Sequence, residues 1–155
     1  MCPNLLPESQ YILSEITIRN MLLPHEVELT KRSLIRWFAL SLGLISPKES
    51  RTLILDIIEA LIYFHLASHQ PTTEEIISKV AELRRETKTK EKAIRYHITQ
   101  LVKRGILTRK RGKYSFYLNP ENQDRDLGAA LEYLYMQNAR TSFTNIKRAV
   151  RALLR

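Results

Sequence analysis

Apolar residues recur at helical spacing along most of this chain and alternate with polar ones over one short stretch. Leu34, Ile35, Phe38 and Leu42 mark one face of a helix that begins after Thr30 and stops at Gly43, with Trp37 at its edge. The most hydrophobic run, Leu53 to Ala67, places Leu53, Ile54, Ile57, Ile58, Leu61, Ile62 and Leu66 on more than one face, which predicts a central core helix. Ahead of it, Ser46-Pro47-Lys48-Glu49 offers an N-cap serine, a first-turn proline and a glutamate that can reach back. The helix is therefore expected to run from Pro47 to about Ser68. Pro71-Thr72-Thr73-Glu74-Glu75 repeats the device: Thr72 caps, Glu75 closes the box, and Ile76, Ile77, Val80 and Leu83 form the buried stripe.

A further helix is predicted from about Lys90 to Arg104. Ile94, Ile98, Leu101 and Val102 share one face, Thr89 can cap the start, and Gly105 stands where a left-handed residue would end it. Strand alternation follows. Ile106-Leu107 opens one strand, Arg109-Lys110-Arg111-Gly112 turns, and Tyr114, Phe116 and Leu118 alternate with Lys113, Ser115 and Tyr117 on the return. After Asn119-Pro120, either Asp124 or Asp126 can cap a helix with Leu127, Leu131, Leu134 and Asn138 on one side. A second terminal helix is expected from about Ser142, with Phe143, Ile146, Val150 and Leu153 at 3-4-3 spacing. Residues 8 to 30 stay ambiguous: Ile12, Leu13, Ile16 and Leu23 suit a helix, whereas Ile16 with Ile18, or Val27 with Leu29, suit short strands. The fold class read from these elements is mainly α with a small β-hairpin.

Charge sharpens this outline. The segment 84–118 holds twelve Lys or Arg against two acids, Glu86 and Glu91, a local charge of +10 in a chain whose total is +9. The remainder sums to −1, and residues 1–30 alone to −3. A positive field gathered on one helix and one hairpin of an otherwise balanced molecule implies a polyanion partner.

The same segment resembles a known family. Ala93-Ile94-Arg95-Tyr96-His97-Ile98, then Leu101, then Gly105-Ile106-Leu107, is similar to the recognition helix of winged helix-turn-helix regulators of the broad ArsR/MarR/PadR kind. The resemblance covers about residues 50 to 118. It implies a winged helix-turn-helix core with extra N- and C-terminal helices, double-stranded DNA as partner and a homodimer as the working form. The connection Arg84 to Thr89 departs from the pattern, being basic and free of glycine. Three regions follow: an arm (1–30), the DNA-binding domain with its leading helix (31–120), and a C-terminal dimerisation segment (121–155).

With Ile94 and Ile98 turned inward, the outward face of the helix offers Lys90, Glu91, Arg95, Tyr96, Thr99 and Lys103, with Arg95 the candidate for a guanine contact. Lys88, Lys92 and Lys103 suit phosphates, and Arg109, Lys110, Arg111 and Lys113 suit the adjacent backbone or minor groove. Leu127, Leu131, Leu134, Phe143, Ile146, Val150 and Leu153 are the expected dimer contacts. His97 reads as a packing residue. His65 and His69 form an i, i+4 pair, but no cysteine or acid at a suitable spacing completes a metal site. The aromatic residues Tyr114, Phe116, Tyr117, Tyr133 and Tyr135 suit packing better than a base-stacking platform.

A glycine-rich phosphate loop, a metal-ligand quartet and a nucleophile elbow are all missing from the sequence, so a non-enzymatic protein without cofactor is expected. Whether a small-molecule effector exists is left open by the residues. The single cysteine, Cys2, allows no internal disulfide, and the opening residues lack the basic start and long apolar core of a signal peptide. A cytoplasmic protein with no membrane partner is the expectation. The alternative function is a protein-interaction subunit of a transcription, replication or RNA-processing assembly, its terminal helices docking a different chain.

Overall fold

The structure is a computed structural model that describes residues 7–50, 52–87, 90–118 and 125–155. It is mainly helical: α1 (His25–Glu28), α2 (Lys31–Ser41), α3 (Leu53–Leu66), α4 (Thr73–Arg84) and α5 (Glu91–Lys103) precede an antiparallel hairpin, and α6 (Leu127–Leu153) follows it. The hairpin pairs β1 (Leu107–Lys110) with β2 (Lys113–Phe116), Leu107 opposite Phe116 and Lys110 opposite Lys113. Among the described residues, no helix is long and apolar enough to cross a membrane.

The core is built around α3, whose Ile54, Leu55, Ile57, Ile58, Ala60 and Leu61 are all buried. Its run of apolar residues on more than one face permits this, because α2, α4, α5 and β2 all pack against it. They contribute Ile35 and Ala39, Ile76 and Val80, Ile94 and Ile98, and Tyr114 and Phe116. One polar side chain lies inside this layer. Asp56, 7% exposed, accepts from the Arg32 guanidinium at 2.8 Å and from Arg84 at 2.7 Å, which ties α2, α3 and α4 through one carboxylate.

Local signals near the middle of the chain act as their residues dictate. Thr30 caps α2 by accepting from the Ser33 N–H, and Thr72 with Glu75 forms the complete capping box of α4. The hydrogen bond from His69 and the Thr72 N–H hold the Glu75 carboxyl below its ordinary value, so the box is populated in its charged form. The start of α4 is then pinned to the hairpin, since the Tyr114 N–H donates to the Pro71 carbonyl at 2.9 Å.

Two expectations are corrected. Ser46-Pro47-Lys48-Glu49 does not open α3. The Glu49 carboxylate does accept from the Ser46 N–H at 2.9 Å, but Arg36 holds the Glu49 carbonyl at 3.2 Å and the buried Ile45 fixes the chain just before. The segment is a turn, and the helix starts at Leu53. Second, the two predicted terminal helices are one helix of 27 residues. Thr141, Ser142 and Thr144, which could have capped a new start, donate instead to the carbonyls of Gln137, Asn138 and Arg140 four residues back, so the ladder continues through them.

The arm, which the hydrophobic pattern left ambiguous, holds neither a long helix nor a strand among its described residues. A 3-10 turn (Glu8–Tyr11) leads into extended chain that lies along the end of α2. Arg19 makes this possible by donating to the carbonyls of Leu40 (2.6 Å), in the last turn of α2, and Ile45 (2.9 Å), in the loop after it. The Trp37 indole N–H adds a bond to the Leu22 carbonyl at 2.7 Å. Gly43 is required here twice over: its φ is +69°, and a Cβ would lie 2.6 Å from Thr17 Cγ2. Gly43→Ala is expected to cost about 1–2 kcal/mol, with Thr17→Gly on top of it, which removes both clashing carbons, restoring only the steric part. Urea melts of the two variants check this. A neutral Gly43→Ala would mean that the arm does not hold this position.

Candidate nucleic-acid interface

α5 divides cleanly into two faces. Ile94, Ile98 and Leu101 are buried against the core, while Glu91, Lys92, Arg95, Tyr96, Thr99 and Lys103 are exposed, as is Lys90 at the N-cap. Gly105 ends the helix at φ +78°, the left-handed geometry that turns the chain directly into the hairpin. Tyr96 is 61% exposed, so its phenol stands clear of the helix. Thr99 is less available: its hydroxyl donates to the Arg95 carbonyl at 2.9 Å, inside its own helix. The Arg95 guanidinium lies 3.4 Å from Glu74 on α4, a solvent-exposed pair of small energetic weight that a phosphate or a base edge can displace. Lys88 and Thr89 lie outside the described residues.

The hairpin presents the second group of cations. Arg109, Lys110, Arg111 and Lys113 are exposed around a two-residue turn in which Arg111 (φ +54°) and Gly112 (φ +75°) both take positive φ, as a tight type I′ connection demands. Tyr114 and Phe116 point the other way, into the core, so period-two alternation alone puts charge outward and aromatic rings inward. Thr108 and Ser115 hydroxyls meet across the strands at 3.1 Å, and the Tyr117 N–H donates to the Ile106 carbonyl at 2.8 Å. These contacts make the turn a fixed projection.

Among the described cations of 84–118, Arg84 and Arg104 work inside the fold. Arg84 is bound to Asp56, which raises its pKa above the ordinary guanidinium value, and Arg104 donates to the Leu42 carbonyl at 3.3 Å. Neither role was legible locally. The hint for Arg84 was a carboxylate, Asp56, within the apolar run Leu53 to Ile58, which signals that some cation must reach it.

The other candidate groups are placed elsewhere. His97 is half-buried on α5 with its ring edge-on to Tyr96, at 5.8 Å between centroids. His65 and His69 do not share a helix face, because α3 ends at Leu66 and Ser68 takes φ +53° between them. His65 meets the Arg125 carbonyl, and His69 pairs with Glu75. Among the described residues, no group of three or more His, Cys, Asp or Glu could hold a metal ion. Tyr114 and Tyr135 are core residues, and burial pushes the Tyr135 and Tyr117 phenols up.

The expected dimer contacts separate into two sets. Leu131 is buried in the chain's own core, Leu127 packs against that core, and Leu134 lies over Gly105, so these three leucines already have intrachain neighbours. Phe143, Ile146, Val150 and Leu153, by contrast, are exposed. Comparison with family models, curated proteins and solved structures finds no match to this chain.

Proposed function

We propose that this chain is a homodimeric, sequence-specific binder of double-stranded DNA that acts as a transcriptional regulator, with a winged helix-turn-helix layout. In this reading α4 and α5 form the helix pair, α5 enters the major groove, and the β1–β2 hairpin lies on the adjacent backbone or minor groove. One observation carries it: the solvent face of α5 and the hairpin after it display Lys90, Lys92, Arg95, Lys103, Arg109, Lys110, Arg111 and Lys113 with Glu91 as the one acid among them. A buried face anchors the helix while its outer face is cationic and donor-rich, which is what phosphate neutralisation combined with base readout requires.

The roles differ along this surface. Arg95 and Tyr96 stand in the middle of the helix face, where base edges are read, whereas the hairpin cations can reach only backbone or minor groove. Arg95→Ala is expected to lower discrimination between the preferred and a mismatched duplex by about 1–3 kcal/mol. Arg111→Ala should weaken all duplexes alike and reduce the salt slope by about one. Selection from a randomised duplex pool, followed by titration of each variant on the selected site and on one mismatch, checks both. Equal loss of preference from the two changes would remove α5 from the major groove.

A second reading has its own observation. Tyr11, Ile12, Leu13, Ile18 and Leu22 of the arm are exposed, as is the end of α6, and such surface favours a docking role in a larger assembly. A monomer that selects no preferred sequence would establish that reading instead.

A further inference from the structure

α6 is roughly 40 Å long at 1.5 Å per residue, and only its first half rests on the domain. From residue 140 onward every residue is exposed. A single helix of this length with no tertiary contact is marginal in water, because most helical stability in proteins comes from packing an apolar face. The overhanging segment has such a face. Every exposed large apolar side chain of α6 falls in one heptad register: Met136, Phe143 and Val150 seven residues apart, with Ile146 and Leu153 three residues after the last two. Ala139 completes the series.

This stripe does not continue the face that packs on the core. At about 100° per residue, it is turned by about a third of a turn from the face of Leu127, Ala130, Leu131 and Tyr135. The chain's own domain therefore leaves it uncovered.

We propose that the end of α6 pairs with the same segment of a second copy as a parallel, two-stranded coiled coil, with 136, 143 and 150 in one set of core layers and 139, 146 and 153 in the other. This deepens the homodimer reading above and rests on that part of it alone. The flanking residues select the occupant and its direction. Arg140 and Lys147 flank the stripe on one side, Ser142 and Ala149 on the other, and α6 has no acid after Glu132. In a parallel pair the two flanks face each other, so Lys147 lies beside the partner's Ser142 and its charge stays solvated. An antiparallel pair aligned on the same stripe would set Lys147 against the partner's Arg140, with no acid on α6 nearby to relieve the repulsion. Small side chains at 142 and 149 leave room for close approach. Val150 with Leu153 matches the preference of two-stranded coils for a β-branched residue followed by leucine, although Phe143 and Ile146 do not follow it.

The test uses the full chain without DNA. Sedimentation should give a dimer, and the Cys2→Ser/Leu153→Cys variant should cross-link at position 153 on oxidation, since a parallel register brings that residue next to its own copy. Phe143→Asp/Val150→Asp should sediment as a monomer with an unchanged core melting transition, because neither side chain touches the core. A monomeric parent chain overturns the homodimer. A dimer that fails to cross-link at 153 overturns the parallel register, and a trimer overturns the two-stranded pairing. Duplex binding enters none of these readouts, so a failure of DNA recognition and a failure of this interface are seen separately.

Discussion

Raising monovalent salt from 50 to 200 mM is expected to weaken duplex binding by about 10²- to 10³-fold per half-site, for roughly four to six phosphate contacts from each subunit. The expectation comes from how the cations are held. Lys90, Lys92 and Lys103 on α5 and Arg109, Lys110, Arg111 and Lys113 on the hairpin are all exposed, and none of them has an acid within ion-pairing distance among the described residues. Each can replace a condensed counterion, whereas Arg84 and Arg104 are engaged inside the fold and should add nothing to the slope. Fluorescence anisotropy across this salt range measures the slope directly. A flat titration would remove the polyanion reading altogether, and an unchanged slope in Arg109→Ala/Arg111→Ala would remove the hairpin from it.

Asp56→Ala is expected to be the most damaging single change outside the apolar core. It removes the carboxylate that joins Arg32 on α2 to Arg84 at the end of α4, and it leaves two guanidinium groups near a dry layer. Loss of one partner of a fully buried pair costs 3–5 kcal/mol; here the Arg32 and Arg84 side chains keep 43% and 21% of their exposure and can turn to water. A loss of about 2–3 kcal/mol is therefore expected. For a chain of this size that corresponds to roughly 5–10 °C in melting temperature. Asp56→Asn, which keeps the volume and one acceptor, should lose less. Because Arg84 is the last residue of α4, the alanine variant should also loosen the approach to α5, read as faster amide exchange at residues 84–87. A melting temperature unchanged by Asp56→Ala would show that the triad is incidental.

Much of the helical layout was legible because it depends on residues three and four apart. Thr72 with Glu75, the stripe Ile94-Ile98-Leu101, Gly105, and the Arg111-Gly112 turn between alternating strands all act within one turn of helix or one pair of strands. Their neighbours in sequence are their neighbours in space. The outward cations of the candidate interface were legible for the same reason: once Ile94 and Ile98 must face inward, Arg95 and Tyr96 must face out.

The tertiary structure alone decided the rest. Ser46 and Glu49 carry the letters of a helix start, yet Arg36 and the buried Ile45 hold them as a turn. Thr141, Ser142 and Thr144 could cap or continue a helix with nearly equal local preference, and the continuous ladder of α6 resolves the choice. The arm had no readable period because its order comes from Arg19 and Trp37, which bind carbonyls more than a dozen residues away. By itself the sequence determined which faces are apolar and where the positive charge gathers. Which cations stay exposed, and which leucines are taken up by the chain's own core, depended on contacts such as Arg84 with Asp56 and Leu131 with the core. These join residues far apart in the chain, where local periodicity carries no information.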